Sequence, residues 1–321
     1  MLKYKILFFA CLFITTMHGQ VESILISDDF KRFEFVIDND VFNNTDYYYT
    51  EGFELKYSSP KLSNSFLFAL FSTPDKKQYD RYGIGAEHRM YTPIDKNNSG
   101  DLDDDRPFSS YFLINIHKET RKYISKSTNY FQIGIGFLGN ISGGKEIQNF
   151  IHKLLPKTNI VKGWDSQISN KFLIDANYIY EKGIVHSKYF DMMILARGQA
   201  GTLRNNLGIG SHIRVGWMPD YYQNIGRNNR LGNGLYIFSE INWNSRWVIY
   251  DTTLQGGIFN NNEDTYVLLA SEIETFVHQI DASLNLRYKR LQISLVQTFL
   301  SREIKNGLSH KYGSLKASFD F

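Results

Sequence analysis

Apolar and polar residues alternate along most of the chain after residue 30, with the period of two that is typical of β-strands. In the first such run Phe33, Phe35 and Ile37 alternate with Glu34 and Asp38. Further runs lie near residues 53–57, 84–90, 112–116, 131–137, 172–180, 188–202, 207–217, 235–243, 280–288, 291–300 and 311–321. The pattern predicts about twelve strands separated by turns and loops.

One stretch, residues 136–164, departs from this alternation and predicts a short helix. Apolar residues recur there at i, i+3, i+4 and i+7, the spacing of one helical face; they are Ile147, Phe150, Ile151 and Leu154. Gly143 and Gly144 precede this stripe and Pro156 follows it, which marks the expected start and end of the helix. Gln148 and His152 are four positions apart and share one face. A loop helix that packs on the protein, with His152 as an incidental polar residue, explains the spacing equally well.

The alternation alone does not say which way the apolar face of the sheet points. A soluble sandwich buries that face, whereas a membrane barrel turns it to lipid and keeps polar side chains in its lumen. An even number of strands, aromatic residues near strand ends and a last alternating strand that stops at Phe321 favour the barrel. We therefore predict an all-β fold, a twelve-stranded antiparallel transmembrane β-barrel with one short α-helix in an extracellular loop.

Composition narrows the class of protein further. The 321 residues include 36 Lys and Arg and 33 Asp and Glu, which gives a net charge of +3. This balance gives no sign of a nucleic-acid-binding surface. Beyond the N-terminus no stretch is long and apolar enough to be a spanning helix.

The N-terminus has the pattern of a signal peptide. Lys3 and Lys5 supply the charge, residues 7–15 supply a short apolar core, and we expect cleavage near Gly19. Residues 1–19 would then be the signal peptide and residues 20–321 the outer-membrane barrel domain. The single cysteine, Cys11, would leave with the signal, so the exported chain would contain no disulfide. A lipoprotein signal at Cys11 is the alternative, and it would leave too short an apolar core.

Strand parity predicts where the polar loops lie relative to one another. If the first strand starts at the periplasmic side, the loops after strands one, three and five open at the outer rim on adjacent hairpins. These loops, residues 39–50, 91–106 and 139–164, carry most of the candidate chemistry. Asn39 continues the apolar face of the first strand, and Asp40 continues its polar face. A site on the outer wall, covered by the helix predicted at residues 143–155, would be able to receive a lipid laterally.

Several residues of these loops fall in short blocks whose order and spacing are similar to those of a known family. The blocks are Asn39-Asp40, Thr45-Asp46 with Tyr49-Thr50 and Gly52, Tyr91-Thr92-Pro93, Asp105-Arg106-Pro107-Phe108, Gly143-Gly144 with Gln148-Asn149 and His152, and Gly163-Trp164-Asp165 with Gln167. Over most of the mature chain the sequence resembles the outer-membrane lipid A 3′-O-deacylases. The resemblance implies a twelve-stranded barrel in the bacterial outer membrane and a calcium-dependent esterase that removes the ester-linked 3′ acyloxyacyl chain of lipid A. It also implies lipid A or lipopolysaccharide of the outer leaflet as the partner, and we expect a monomer.

The chemistry of such an esterase suggests roles for these residues. Ester hydrolysis needs a base that activates water and a positive centre for the developing oxyanion. Histidine is the side chain whose usual pKa suits that base near neutral pH, and a divalent cation can stabilise the oxyanion. The expected catalytic residues are His152, Gln148, Asn39, Asp40 and Thr50. His152 would be the general base, and Asn39 and Asp40 would bind Ca²⁺, which prefers oxygen ligands, or would orient the histidine.

Each of these assignments has a simpler alternative. Asp40 would cap a turn, Thr50 would be an ordinary strand residue, and Gln148 would be a solvated helix residue. The chain also offers Lys96 and Arg106 for lipid phosphates or the glucosamine backbone, with solvated rim charges as the alternative.

The loop after His152 departs from what a metal site there would need, because residues 153–162 contain no carboxylate. If related proteins take a metal ligand from this loop, this chain must take it from elsewhere, and Asp46, Glu146 and Asp165 are candidates. No Gly-x-Ser-x-Gly turn is present, which argues against a nucleophile-elbow serine hydrolase. A passive pore or transporter and a catalytically silent lipopolysaccharide-binding barrel are the competing functions. The pore does not explain the amphipathic helix or the three neighbouring blocks.

Overall fold

Twelve antiparallel strands form a closed barrel in the computed structural model of the chain. The structure describes residues 31–39, 47–71, 78–96, 105–154, 161–222, 234–259 and 264–321. The strands are β1 (Arg32–Asn39), β2 (Tyr48–Ser58), β3 (Tyr79–Thr92), β4 (Ser109–Lys122), β5 (Ser127–Leu138), β6 (Lys171–His186), β7 (Phe190–Gly201), β8 (Arg204–Trp217), β9 (Leu235–Asp251), β10 (Phe276–Tyr288), β11 (Leu291–Leu300) and β12 (His310–Asp320). Each strand pairs with its neighbours in the chain, and β1 pairs with β12 to close the sheet. The predicted strand number and closure are confirmed.

The apolar face of the sheet points outward, as the barrel hypothesis requires. Large apolar side chains on alternate positions are strongly exposed; Ile114, Ile135 and Leu295 are 55–59% exposed. Exposed aromatic side chains lie near both ends of the strands, for example Trp217 at one end and Trp247 at the other. An exposed apolar band with aromatic margins is the surface that a transmembrane barrel presents to lipid.

We name the two ends of the barrel by the connections they carry. The upper rim contains the connections after β1, β3 and β5, and the lower rim contains the start of β1 and the end of β12. Short connections at the lower rim, such as residues 123–126 and 289–290, are typical of the periplasmic side of a bacterial barrel. The three polar loops therefore share the extracellular rim, as strand parity predicts.

Polar side chains face the lumen and pair there. A cavity of about 520 Å³ is lined by charged and polar side chains from most of the strands. Lys56 lies 2.7 Å from Glu54, and Arg204 lies 2.7 Å from Asp251. At the upper end of the lumen, eight side chains form a buried cluster: Tyr49, Tyr91, Tyr111, Leu113, Leu138, Ile168, Leu173 and Leu203.

The described residues contain one helix of substantial length. Helix α1 spans Gly144–Leu154 after β5, and α2 is the single turn Thr252–Gln255. Gly143 has a φ of +78°, a left-handed conformation that glycine adopts without strain, and this position separates α1 from the preceding 3₁₀ turn Asn140–Ser142. The predicted start of α1 is confirmed, whereas Pro156 lies outside the described residues. Within the described ranges no helix has both the length and the apolar character needed to cross a bilayer.

Three features of the chain differ from the sequence prediction, are absent from it, or lie outside the described residues. β9 continues to Asp251, although the apolar run predicts an end near residue 243. Residues 59–71 form two short 3₁₀ helices, Pro60–Asn64 and Phe66–Phe68, inside the first long connection. The signal peptide predicted at residues 1–19 lies outside the described residues and stays a prediction, as does the boundary of the barrel domain at residue 20.

Candidate functional site

The loop that precedes α1 lies against the outer face of the barrel at the upper rim. His88 on β3 and Ser110 on β4 occupy positions on the apolar, outward face of their strands, yet both side chains are buried. The Nε2 atom of His88 lies 3.0 Å from the carbonyl oxygen of Ser142, and the hydroxyls of Ser110 and Ser142 are 2.6 Å apart. These contacts fix the start of α1 on the outside of the wall rather than in the lumen.

Part of the apolar stripe of α1 packs on the same area of the wall. Ile147 contacts a buried cluster made of Met90, Phe108, Val161 and Trp164, to which Phe53 of β2 also packs. Met90 is fully buried although it follows Ile84 on the outward face of β3, because the helix and its flanking loops cover it. Phe150, a member of the same stripe, is 63% exposed. The helix is therefore a lid on the outer wall whose exposed surface is mixed, with charged side chains as well as Phe150.

Gln148 is completely buried beneath this lid. Its Oε1 atom accepts a hydrogen bond of 2.6 Å from Nε1 of Trp164. Because the indole nitrogen only donates, this bond identifies which end of the amide is the oxygen. The Nε2 atom of Gln148 is buried and has no hydrogen-bond partner among the described residues. The alternative of a solvated helix residue is excluded by this burial.

The ends of β1 and β2 bring polar groups to the same outer face. A β-bulge between Tyr49 and Glu51 interrupts the register of β2 with β3. Thr50 is buried, with its hydroxyl 2.8 Å from that of Thr92, and Glu51 is buried opposite Met90. A bulge redirects side chains in this way.

Asn39 completes this edge of the site. It pairs with Glu51 across β1 and β2, and its Nδ2 atom donates a hydrogen bond of 3.1 Å to Oε1 of Glu51. Asn39 and Thr50 therefore lie on the rim and the face of the wall that α1 covers. Asp40 lies outside the described residues.

His152 lies one helical turn after Gln148 and is half-buried. The turn of α1 that carries both residues thus combines a fixed amide with an accessible imidazole. Lys96 is also part of this region, because its carbonyl oxygen accepts a hydrogen bond of 3.0 Å from the backbone nitrogen of Gly163, the residue before Trp164. The Lys96 side chain is 9% exposed, so it is not a solvated rim charge.

Arg106 lies elsewhere, at the upper end of the lumen. It is fully buried, and its guanidinium donates hydrogen bonds of 2.6 Å to Glu303 and 2.9 Å to Thr253. The guanidinium carbon lies 4.1 Å from the ring centre of Tyr91, which lines the lumen cavity. The structure does not bring Arg106 to the outer face, and its burial also excludes a solvated rim charge.

Oxygen donors suited to a hard divalent cation are present at the edge formed by β1 and β2. Asn39 offers an amide oxygen, Glu51 offers a carboxylate, and both suit Ca²⁺. Glu51 was not among the predicted site residues, although a carboxylate on the apolar face of β2 is a signal that the sequence contains. The described ranges hold no group of three or more His, Cys, Asp and Glu side chains arranged around one point.

The three other carboxylates considered as metal ligands differ in position. Asp46 lies outside the described residues, and Glu146 is exposed in the first turn of α1. Asp165 accepts a hydrogen bond of 2.6 Å from Nζ of Lys145, and this bond raises the pKa of the Lys145 ammonium. Asp165 is thus already neutralised by a cation of α1.

Comparison with known proteins identifies the family and the fold of the chain. A family model described as "Outer membrane protein LpxR" matches residues 7–321. The structure of LpxR from Salmonella typhimurium has 18% sequence identity and a TM-score of 0.72, over 90% of this chain and 99% of that chain. The β domain of the Bordetella autotransporter BrkA has 7% identity and a TM-score of 0.44, over 91% and 98% of the two chains. No curated protein matches the chain.

The family match covers nearly the whole sequence, and the Salmonella structure has the same barrel fold. The predicted outer-membrane location and the predicted family resemblance are confirmed. The chain belongs to the LpxR family of outer-membrane proteins.

Proposed function

We propose that the protein is a lipid A deacylase that hydrolyses the ester-linked 3′ acyloxyacyl chain of lipid A in the outer leaflet. One observation carries the proposal: α1, with Gln148 and His152, packs on the outer face of the wall at the upper rim, on the same side as the polar edge formed by Asn39 and Glu51. A substrate that reaches such an edge comes from the membrane and not from the lumen. Lipid A is the ester-bearing lipid of that leaflet.

In the proposed reaction His152 acts as the general base. Its imidazole accepts a proton from a water molecule as the water oxygen attacks the carbonyl carbon of the 3′ ester. The tetrahedral intermediate then collapses, the bond between the acyl carbon and the 3′ oxygen breaks, and the imidazolium returns the proton to the departing alkoxide. The products are a 3′ hydroxyl on the glucosamine and a free acyloxyacyl carboxylic acid, which releases its proton to solvent. General base catalysis of this kind contributes about 10²- to 10⁴-fold.

Gln148 is suited to donate to the carbonyl oxygen as negative charge develops on it. Trp164 holds the amide oxygen, so the buried Nε2 atom keeps its N–H groups for another acceptor. A buried donor without a partner is costly, and a donor held in place before the reaction stabilises an oxyanion effectively. Thr50 and its partner Thr92 lie at the same edge of the site.

Asn39, Asp40 and Glu51 are the proposed holders of Ca²⁺. When bound there, the cation would supply positive charge for the developing oxyanion. Glu51 also acts on Asn39 directly, since it accepts a hydrogen bond from Nδ2 and so helps to orient the amide. Lys96, next to the Trp164 segment, is proposed to contact a lipid phosphate, and Arg106 is not part of the site.

Mass spectrometry of lipid A tests the proposal directly. Cells that express the protein should contain lipid A lighter by one acyloxyacyl group, and His152→Ala should reduce its formation about 10²- to 10⁴-fold. Lys153→Ala, at the exposed neighbouring position on α1, is the matched control and should keep wild-type activity. A chelator that removes Ca²⁺ should abolish the reaction in purified protein. Full activity of His152→Ala would rule out the general base, and unchanged lipid A in all cells would favour a barrel that only binds lipopolysaccharide.

A further inference from the structure

The outer face of the wall has a second covered area, at the lower rim below the first. Residues 59–71, which we call the lower-rim segment, fold back from the end of β2 over β3. The backbone nitrogen of Ser59 donates a hydrogen bond of 2.8 Å to the carbonyl oxygen of Tyr82. The buried Phe68 packs edge-on against the Tyr82 ring at 5.4 Å between centroids, and Phe71 packs in the same way against Phe131 at 5.5 Å.

An ion pair lies on the outer face beside this segment. Asp80 and Lys118 share the outward side of β3 and β4 with Tyr82, and their charged groups are 3.3 Å apart with 6–7% exposure. Thr120 donates a further hydrogen bond of 2.5 Å to Asp80. Nζ of Lys118 lies 5.2 Å from the centre of the Tyr82 ring on which Phe68 rests. Charges on the lipid face of a barrel are costly near the bilayer centre and tolerated near an interface, so this pair marks an interfacial level.

The lower-rim segment itself is amphipathic. Phe66 is 84% exposed, Leu70 is 80% exposed and Leu67 is 42% exposed. Lys61 and Asn64, nearer the start of the segment, are exposed polar residues. Exposed side chains as large as Phe66 and Leu70, four positions apart in one short segment, need an apolar environment to be favourable.

The position of the segment along the wall matches the second membrane interface. Tyr82, under the lower-rim segment, and Met90, under α1, are eight positions apart on β3. At a rise of about 3.3 Å per residue and a tilt of about 40° this is roughly 20 Å along the membrane normal, close to the ~25 Å height of the apolar band of a barrel. The two covered areas therefore lie at opposite interfaces of one bilayer.

We propose that the lower-rim segment is a lipid-binding anchor that inserts Phe66 and Leu70 into the phospholipid leaflet at the lower rim. Contacts of the segment with the lipid-facing surface identify lipid as its partner. Phe71 contacts Phe131, and Phe131 contacts Tyr178 on the exposed outer face of β6, with 6.5 Å between the last two ring centres. The segment extends the surface that already faces lipid. Its apolar side chains project outward as single side chains and form no groove, which suits acyl chains better than a folded partner.

Spin labels test the proposal without altering the packed residues. The full chain with Cys11→Ser would carry one label, through Phe66→Cys or Leu70→Cys, in nanodiscs of phosphatidylethanolamine and phosphatidylglycerol. We expect collision with apolar oxygen to exceed collision with a water-soluble nickel complex several-fold at both positions. Ile114→Cys, in the middle of the exposed band, is the lipid-facing reference. Lys61→Cys and Asn64→Cys are the matched controls within the segment, and they should show the opposite preference.

Two results would overturn the anchor. Preferential contact of labels at Phe66 and Leu70 with the nickel complex would mean that the segment stands in water. Protection from both reagents would mean that a protein surface, such as a second copy of the chain, covers it. The readout does not depend on catalysis, so the anchor and the proposed deacylase can fail separately.

Discussion

The hydrogen bond from Nε1 of Trp164 to Gln148 can be tested by removing its donor atom. Trp164→Phe removes the N–H donor but keeps the aromatic contact with Phe108, whose ring centre is 5.2 Å away. The buried Oε1 atom of Gln148 then loses its partner, at a cost of about 1–3 kcal/mol in the free energy of unfolding. We also expect slower deacylation, because the amide is no longer held in one orientation.

A double-mutant cycle with Gln148→Leu measures this coupling. Thermal unfolding and the rate of deacylation should both show that the effect of Trp164→Phe nearly disappears once Gln148 is absent. Trp217→Phe makes the same chemical change on the exposed outer face and should be close to neutral. Additive effects of the two substitutions would contradict the role given to the hydrogen bond.

For Arg106 we expect a substitution to lower the free energy of unfolding and to leave the affinity for lipid A unchanged. Arg106→Gln would leave Glu303, whose side chain is 17% exposed, without its cation and should cost about 3 kcal/mol in the free energy of unfolding. Arg106→Gln combined with Glu303→Gln should recover part of this loss. Arg302→Gln breaks an exposed pair with Glu274 and should cost less than about 1 kcal/mol. A weaker affinity for lipid A with unchanged unfolding would instead place Arg106 in the substrate site.

The sequence predicts the residue types of the candidate site better than their partners. Helical spacing predicts that Gln148 and His152 share one face of α1, and the end of the first strand predicts the position of Asn39. The bond from Trp164 to Gln148 joins residues 16 positions apart, which no local pattern can predict. Arg106 lies in a loop without alternation, so its sequence gives no sign that it turns towards the lumen.

At the scale of the element, the docking of α1 depends on the lack of a side chain at its first residue. A Cβ atom at Gly144 would lie 2.3 Å from the hydroxyl oxygen of Ser110 and 3.1 Å from the Trp164 ring. Gly144→Ala should therefore lift the start of α1 from β4, at a cost of about 1–3 kcal/mol in the free energy of unfolding. We expect deacylation to fall with it, because α1 carries Gln148 and His152.

Removing the obstructing side chain should restore the contact. In Gly144→Ala combined with Ser110→Gly the new methyl group has space, and activity should return in part. Gly198→Ala in β7 is the control, since the added Cβ would meet only Leu207 at an ordinary 3.5 Å. Loss of stability without loss of deacylation in Gly144→Ala would show that the position of α1 is not required for the reaction.

Hydrophobic periodicity predicts the strands and α1 because these elements are regular. It does not predict where an element ends or where its geometry becomes irregular. β9 is predicted to stop near residue 243 because Ser245 interrupts its apolar face, yet pairing with β10 continues to Trp247 and pairing with β8 continues to Asp251. The bulge at Thr50 and the two 3₁₀ helices of the lower-rim segment are local irregularities of the backbone. They depend on the strands beneath them, and no repeat in the sequence marks them.

For the whole molecule, the central question is on which side of the wall the chemistry takes place. The proposed site uses the outer face, whereas the lumen contains a separate network of ion pairs around a cavity of about 520 Å³. β2 contributes a carboxylate to each side: Glu51 reaches Asn39 on the outer face, and Glu54 lines the lumen and pairs with Lys56. These two residues, three positions apart on one strand, allow the two sides to be compared with the same substitution.

Glu51→Gln and Glu54→Gln should therefore have different effects on catalysis. Glu51→Gln should weaken the hold on Asn39 and raise the Ca²⁺ concentration needed for half-maximal deacylation about 10- to 100-fold, as the loss of a residue that orients a metal ligand does. Glu54→Gln removes one lumenal ion pair and should shift unfolding while leaving the Ca²⁺ dependence unchanged. Ca²⁺ titrations of deacylation by the two purified variants decide between the sides. An equal shift in both, or a shift in Glu54→Gln alone, would move the catalytic site into the lumen, where a membrane lipid has no direct route.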